Sequence, residues 1–263
     1  MVFNAINTRL LFPMGLSLHY EVRFGDGEAA RARELVRTLH RRASEYARAK
    51  RIEKVLPISE DPEDLDRFAM RWIQQRHPDD PDTICGVAVP AQEGSLFPVV
   101  PGEGCEPLWF GLCRYPATVR QDGRDLATRC GQGWRFQSAC KTQYASRHGW
   151  EHFHRCHTNA ILLIRVWAEL GGRLRLVDEG GWWPRRSDAT LRRKLGEMDG
   201  IVAAFAGVMK DAAEDEGGPR IQSPIFAHPQ FERLEAEGAS RHAAKLDAAR
   251  KIVTEAARKQ RRE

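Results

Sequence analysis

The chain has no aliphatic run longer than AILLI, Ala160 to Ile164, far below the roughly 18 consecutive apolar residues that a membrane-spanning helix needs. No such span is expected. Cysteine is sparse as well: six in 263 residues, all between Cys85 and Cys156, with no CxxC spacing. That pattern is not the framework of a disulfide-stapled domain, and reduced thiols are expected. Zinc ligation by Cys105, Cys113, Cys130 and Cys140 is the less favoured alternative, because structural zinc sites usually begin from tight cysteine pairs. The opening MVFNAINTRLLFPMGLSLHYE carries a basic residue and an apolar stretch, but Pro13 and Gly15 interrupt the stretch and no small-residue cleavage site follows. It reads as mature chain of a cytoplasmic protein.

What is present is a hydrophobic fraction of 42% and a formal charge of +5, enough for one sizeable core or two small ones. The charge is uneven. Residues 240–263 hold eight Lys/Arg against three Asp/Glu, and residues 28–54 hold nine against four. Two basic helical segments on a mildly acidic body can attract a polyanion or a protein partner. The plainer reading, and the preferred one, is that such arginines make solvated helix faces.

LSLHYEVRF, from Leu16, alternates as a strand with Leu16, Leu18, Tyr20, Val22 and Phe24 on one side. A helix follows to about Ala49, with Ala32, Leu35, Val36, Leu39, Ala43 and Tyr46 at helical spacing. A second strand starts at Ile52. DPED at Asp61 is a helix start, with an Asp cap and Pro at the first position, and its apolar spacing predicts a helix to about His77. Residues 79–132 read as an irregular β and loop segment. A strand over Trp134–Tyr144, a helix from about Gly149 to Leu170, the strand RLRLVDE and a helix from a Ser187 cap to about Ala212 repeat the order strand, helix, strand, helix. Gly196, Gly200 and Gly207 leave room for close packing of that last helix. Residues 214–239 read as linker and short helix, and 240–263 as a basic C-terminal helix.

The expected fold is α/β, with α+β as the alternative. Two β-α-β-α units, over 1–78 and 133–213, surround a mixed sheet, and tandem ferredoxin-like halves satisfy the same order.

RHGWEHFHRCHTN, Arg147 to Asn159, concentrates four of the nine histidines. On a helical wheel His157 joins the apolar stripe with Trp150, Ile161 and Ile164, His154 lies at its edge, and His152 lies opposite. His148 precedes the helix. If the two strands flanking this helix are parallel neighbours, Lys141, Gln143 and Tyr144, the histidines, and Asp178 and Glu179 meet at one sheet edge. Antiparallel or split strands scatter the set. The candidate catalytic residues are His154, His157, Asp178, Lys141 and Tyr144: histidine as base, a carboxylate to orient it, and Lys or Tyr to meet developing charge. A metal variant uses His154, His157 and Asp178 or Glu179 as ligands to a divalent cation. The loop DEGGWWPRRS adds candidate ligand-binding residues, Glu179, Trp182, Trp183, Arg185 and Arg186, which can stack on a flat group and hold phosphate. The competing readings are a core His157 and an Asp178 that merely caps its glycine turn.

Two functions follow as expectations. One is an acid-base or metal-assisted hydrolytic enzyme for a phosphate-bearing or nucleotide-like substrate. The other is a non-enzymatic binding or assembly protein that uses its basic helices to contact nucleic acid or a protein partner, with homo-oligomerisation or a partner protein engaged through the C-terminal helix.

Overall fold

Alternation along the first described strand sets the sheet. In the computed structural model, which describes residues 16–76, 84–215 and 222–260, Ser17–Arg23 (β1) buries Leu18, Tyr20 and Val22 and turns His19 and Arg23 to solvent. Ala29–Arg48 (α1) follows and buries Ala32, Val36, Leu39 and Ala43, a helical stripe in which each fully buried Val or Leu is worth roughly 1.5–3 kcal/mol. The opposite face carries Arg37 and Arg41 paired with Glu34, Arg42 with Glu45, and Arg33 with Glu60. These four arginines lie on a solvated face and are paired with three glutamates, while the segment as a whole keeps its excess of positive charge.

Lys54–Val55 (β2) precedes Pro62–Phe68 (α2), where the Asp61 carboxylate accepts from Glu63 N at 2.9 Å and Pro62 opens the helix. The cap is as expected, but the helix ends at Phe68 and not near His77. Arg71–Arg76 (β3) is a strand instead, paired antiparallel with Ile84–Val89 (β4). The apolar spacing of Phe68, Trp72 and Ile73 mimics a helix, and a ladder to a distant partner overrides it. Glu93–Val100 (β5) and Leu108–Arg114 (β6) form an antiparallel pair, Thr118–Gln121 (β7) and Arg124–Ala127 (β8) a separate hairpin, and Arg135–Lys141 (β9) pairs with β6. Trp150–Glu169 (α3), Arg173–Asp178 (β10), Asp188–Asp215 (α4) and Phe231–Gln260 (α5) complete the order. Within α5 the backbone leaves helical geometry at His242 (φ −126°, ψ 20°), close to Ser240, where the basic C-terminal helix is expected to follow the short helix.

The six-stranded sheet runs β10-β1-β9-β6-β5-β2. Hydrogen bonds from Phe24 N to Trp134 O and from Thr142 N to Leu16 O make β1 antiparallel to β9, and Glu179 N to Ser17 O sets it antiparallel to β10. β9 and β10 are therefore parallel but not neighbours: β1 lies between them. The fold is mixed α/β as expected, but the sheet is antiparallel between neighbours. The strands of the two β-α-β-α units share it in a single split arrangement.

The chain divides into two compact units. One contains, among the described residues, 18–76, 84–140 and Arg155–Val177. Its core joins Tyr20, Phe97, Phe110 and Phe136 across four strands, with ring centroids 5.5–6.4 Å apart in successive pairs, while Trp167 of α3 meets Phe24 edge-on at 5.7 Å. The other contains, among the described residues, Lys141–His154, 178–215 and 222–260. There α4 and α5 touch backbone to backbone: a Cβ on Gly238 would lie 1.9 Å from Gly200 O. Gly207 faces the Glu235 side chain, whereas Gly196 opens to space. Ala203, Ala206, Ile225 and Leu234 form this unit's core, with Tyr144 packed against it. Among the described residues no helix is long and apolar enough to cross a membrane.

A candidate acid-base site

The loop after β10 is built by Asp178. Its two carboxylate oxygens accept from Gly180 N and Trp183 N, both at 2.8 Å, which is the role of a turn cap. Glu179 reaches the other way and accepts from Ser17 N at 2.8 Å. The start of β1 thus stands where parallel neighbours would have left an open edge, a placement that strand order imposes and local sequence does not encode.

The loop then buries Trp182 and exposes Arg185 and Arg186. Ser187 caps α4, accepting from Thr190 N at 3.2 Å, and the next residue, Asp188, points its carboxylate at the first turn of α3. Oδ1 of Asp188 lies 2.9 Å from His154 Nε2 and receives the Trp182 indole N–H at 2.8 Å. The Trp150 and His154 rings lie 5.3 Å apart, Trp182 stands edge-on to His154 at 6.5 Å, and the Arg192 guanidinium lies 3.9 Å from the Trp150 centroid. The His154 side chain is 27% exposed and that of Asp188 61%, so the pair is open to a solute.

The electrostatics follow from these contacts. The His154 hydrogen bond, then that of Trp182, holds the Asp188 carboxyl below the usual range, with Arg192 adding attraction. An ionised carboxylate only accepts, so Nε2 carries the imidazole hydrogen that meets Asp188.

The remaining candidates take other places. His157 is fully buried on α3, beside the equally buried Cys156, Ile161 and Ile164. Lys141 lies over the Tyr144 ring at 5.6 Å. His148 and His152 meet edge-on at 5.1 Å, and Arg147 donates to His148 at 2.9 Å. Among the described residues no group of three or more His, Cys, Asp or Glu converges to hold a metal ion. Of the cysteines, Cys105 donates its thiol hydrogen to Cys156, which pushes Cys105 up and draws Cys156 down.

Three residues of the second unit were not foreseen: Asp188, Arg192 and Asp199. Asp188 follows the Ser187 cap directly, and its place in the first turn was the available signal. Asp199 is buried in α4, where Gln143 Nε2 donates to it at 2.7 Å while Gln143 Oε1 accepts from Leu16 N at 3.1 Å. Burial pushes its carboxyl up to about 6, against the opposing hydrogen bonds of Gln143 and Ser146. No family model matches the chain, and neither a curated protein nor a solved structure matches it.

Proposed function

We propose that the chain is an acid-base enzyme acting on a phosphate-bearing substrate, with His154 as the base and Asp188 as the residue that fixes its tautomer. The observation that carries this reading is the shared Asp188 oxygen, bound by both His154 Nε2 and Trp182 Nε1. A carboxylate held by two donors cannot swing away, and a base whose tautomer is fixed loses no time to reorientation. In hydrolysis, His154 takes the proton of an attacking water as the phosphorus–oxygen bond forms, and returns it to the departing oxygen.

Cationic and aromatic groups support the substrate class. Arg192 is stacked on Trp150, and Arg185 and Arg186 are exposed on the same loop as Trp182 and Trp183, a combination suited to phosphate beside a flat group. The experiment is a turnover screen of the full chain against phosphomonoesters, phosphodiesters and nucleoside triphosphates. His154→Gln should lower any turnover about 100-fold or more, and Asp188→Asn should lower kcat with little change in KM. Turnover that survives His154→Gln refutes the assignment.

A further inference from the structure

The sheet's second face, turned away from α1 and α3, carries an unbalanced set of arginines. Strand register places them. Phe24 lies opposite Trp134 and Ser17 opposite Glu179, so Arg23 falls between Arg173 on one side and Arg135 on the other, and Glu21 between Arg175 and Gln137. With neighbouring strands about 4.8 Å apart, the row Arg173, Arg23, Arg135 is about 10 Å long. Arg71, at the start of β3, leans over this face and donates to Glu21 Oε1 at 3.2 Å, while Arg23 donates to Oε2 at 2.9 Å. Beside them His19, Glu21, Met70, Gln137, Arg175 and Val177 line a groove of about 400 Å³.

Glu21 therefore serves two arginines. Arg135, with 8% of its surface exposed, has no hydrogen bond or ion pair from its guanidinium among the described residues. Arg71 Nε is likewise buried without an acceptor among them. Glu21, the carboxylate that attracts Arg135, is already hydrogen-bonded to Arg23 and Arg71, and an arginine so under-compensated costs stability. The effect is visible in both partners: burial, then repulsion by Arg71 and Arg23, draws Arg135 down, and the surrounding arginines outweigh burial to hold Glu21 below its ordinary value. The contrast with α1 is direct, because Arg33 there has Glu60 at 3.1 Å.

We infer that this groove binds single-stranded nucleic acid through its phosphodiester backbone. A row of three arginines outreaches one phosphate group and suits a run of them, and a groove of this volume admits a nucleotide but not the width of a duplex. Trp72, 65% exposed, follows Arg71 on β3 and therefore points to the opposite face of the hairpin, over Gly86. The inference stands apart from the His154 reading and does not need turnover.

The test is fluorescence anisotropy of the full chain with a short labelled oligonucleotide, as RNA and as DNA, over a salt series. Binding should fall steeply with salt. Arg135→Gln and Arg175→Gln should each weaken it about tenfold and reduce the salt slope by about one. Arg175 is exposed, so its variant reports even where Arg135→Gln folds poorly. Trp72→Ala, on the other face of the β3 hairpin, and Arg33→Gln should each leave it unchanged. The inference fails if no oligonucleotide binds, if duplex binds as tightly as single strand, or if inorganic phosphate competes at equal concentration. It fails equally if Arg33→Gln matches the loss at Arg175, which would mean bulk charge.

Discussion

Asp188 Oδ1 lies 2.9 Å from His154 Nε2 and 2.8 Å from Trp182 Nε1, so a single oxygen at the start of α4 ties a helix of histidines to the tryptophan loop. Asp188→Asn replaces a group that only accepts by a carboxamide that can also donate to Nε2. The Nε2–H tautomer should then lose its dominance, which the nitrogen-15 shifts of the His154 ring report. Trp182→Phe keeps the ring but removes the donor and should produce a smaller change of the same kind.

The same pair predicts an acid-side stability effect. The depressed Asp188 carboxyl stabilises the fold above its unfolded value, and this contribution disappears as pH falls through its folded value. Because Asp188 is largely exposed, the effect should stay below about 1 kcal/mol. Thermal unfolding of the parent and Asp188→Asn, compared from neutral to strongly acidic pH, measures it.

Asp199 has the opposite sign. Its folded value, raised to about 6, means that the contribution is complete below the ordinary aspartate value and is lost as pH rises through about 6. Asp199→Asn keeps the acceptor for Gln143 and cannot ionise. It should melt higher than the parent above neutrality, by up to about 3 kcal/mol in unfolding free energy, and the two curves should converge in acid. A variant less stable than the parent at pH 8 would show that the carboxylate is needed there.

The contact of α4 with α5 separates two glycines that look alike in sequence. Gly238→Ala drives a methyl into the Gly200 carbonyl and should cost about 1–3 kcal/mol or more. Gly196→Ala meets nothing within 4 Å and should stabilise the helix by about 0.5–1 kcal/mol. Denaturant unfolding of both variants gives the comparison.

What could be read from the sequence was local. The alternation of Leu18, Tyr20 and Val22, the stripe of α1, and the caps at Asp61 and Ser187 follow from periods and side-chain chemistry within a few residues. The strand at Arg71 could not be read, because its partner Ile84–Val89 lies beyond a connection and decides the outcome. Nor could the insertion of β1 between β9 and β10, which puts Ser17 beside Glu179 and makes the sheet antiparallel. For the site, His154 and Trp182 were visible as candidates. The carboxylate at His154 Nε2 came from Asp188, because Asp178 spends both oxygens on its own loop and the chain folds back only after that turn is made.

The position of β1 also governs the order of assembly. As the first described strand and an interior member of the sheet, it has β9 on one edge and β10 on the other, so during synthesis one edge waits for residue 141 and the other stays unpaired until residue 178 has left the ribosome. Such distant pairing makes folding slow and leaves the nascent strand exposed to wrong partners. A chain truncated before β10 should therefore aggregate and not fold as a smaller domain.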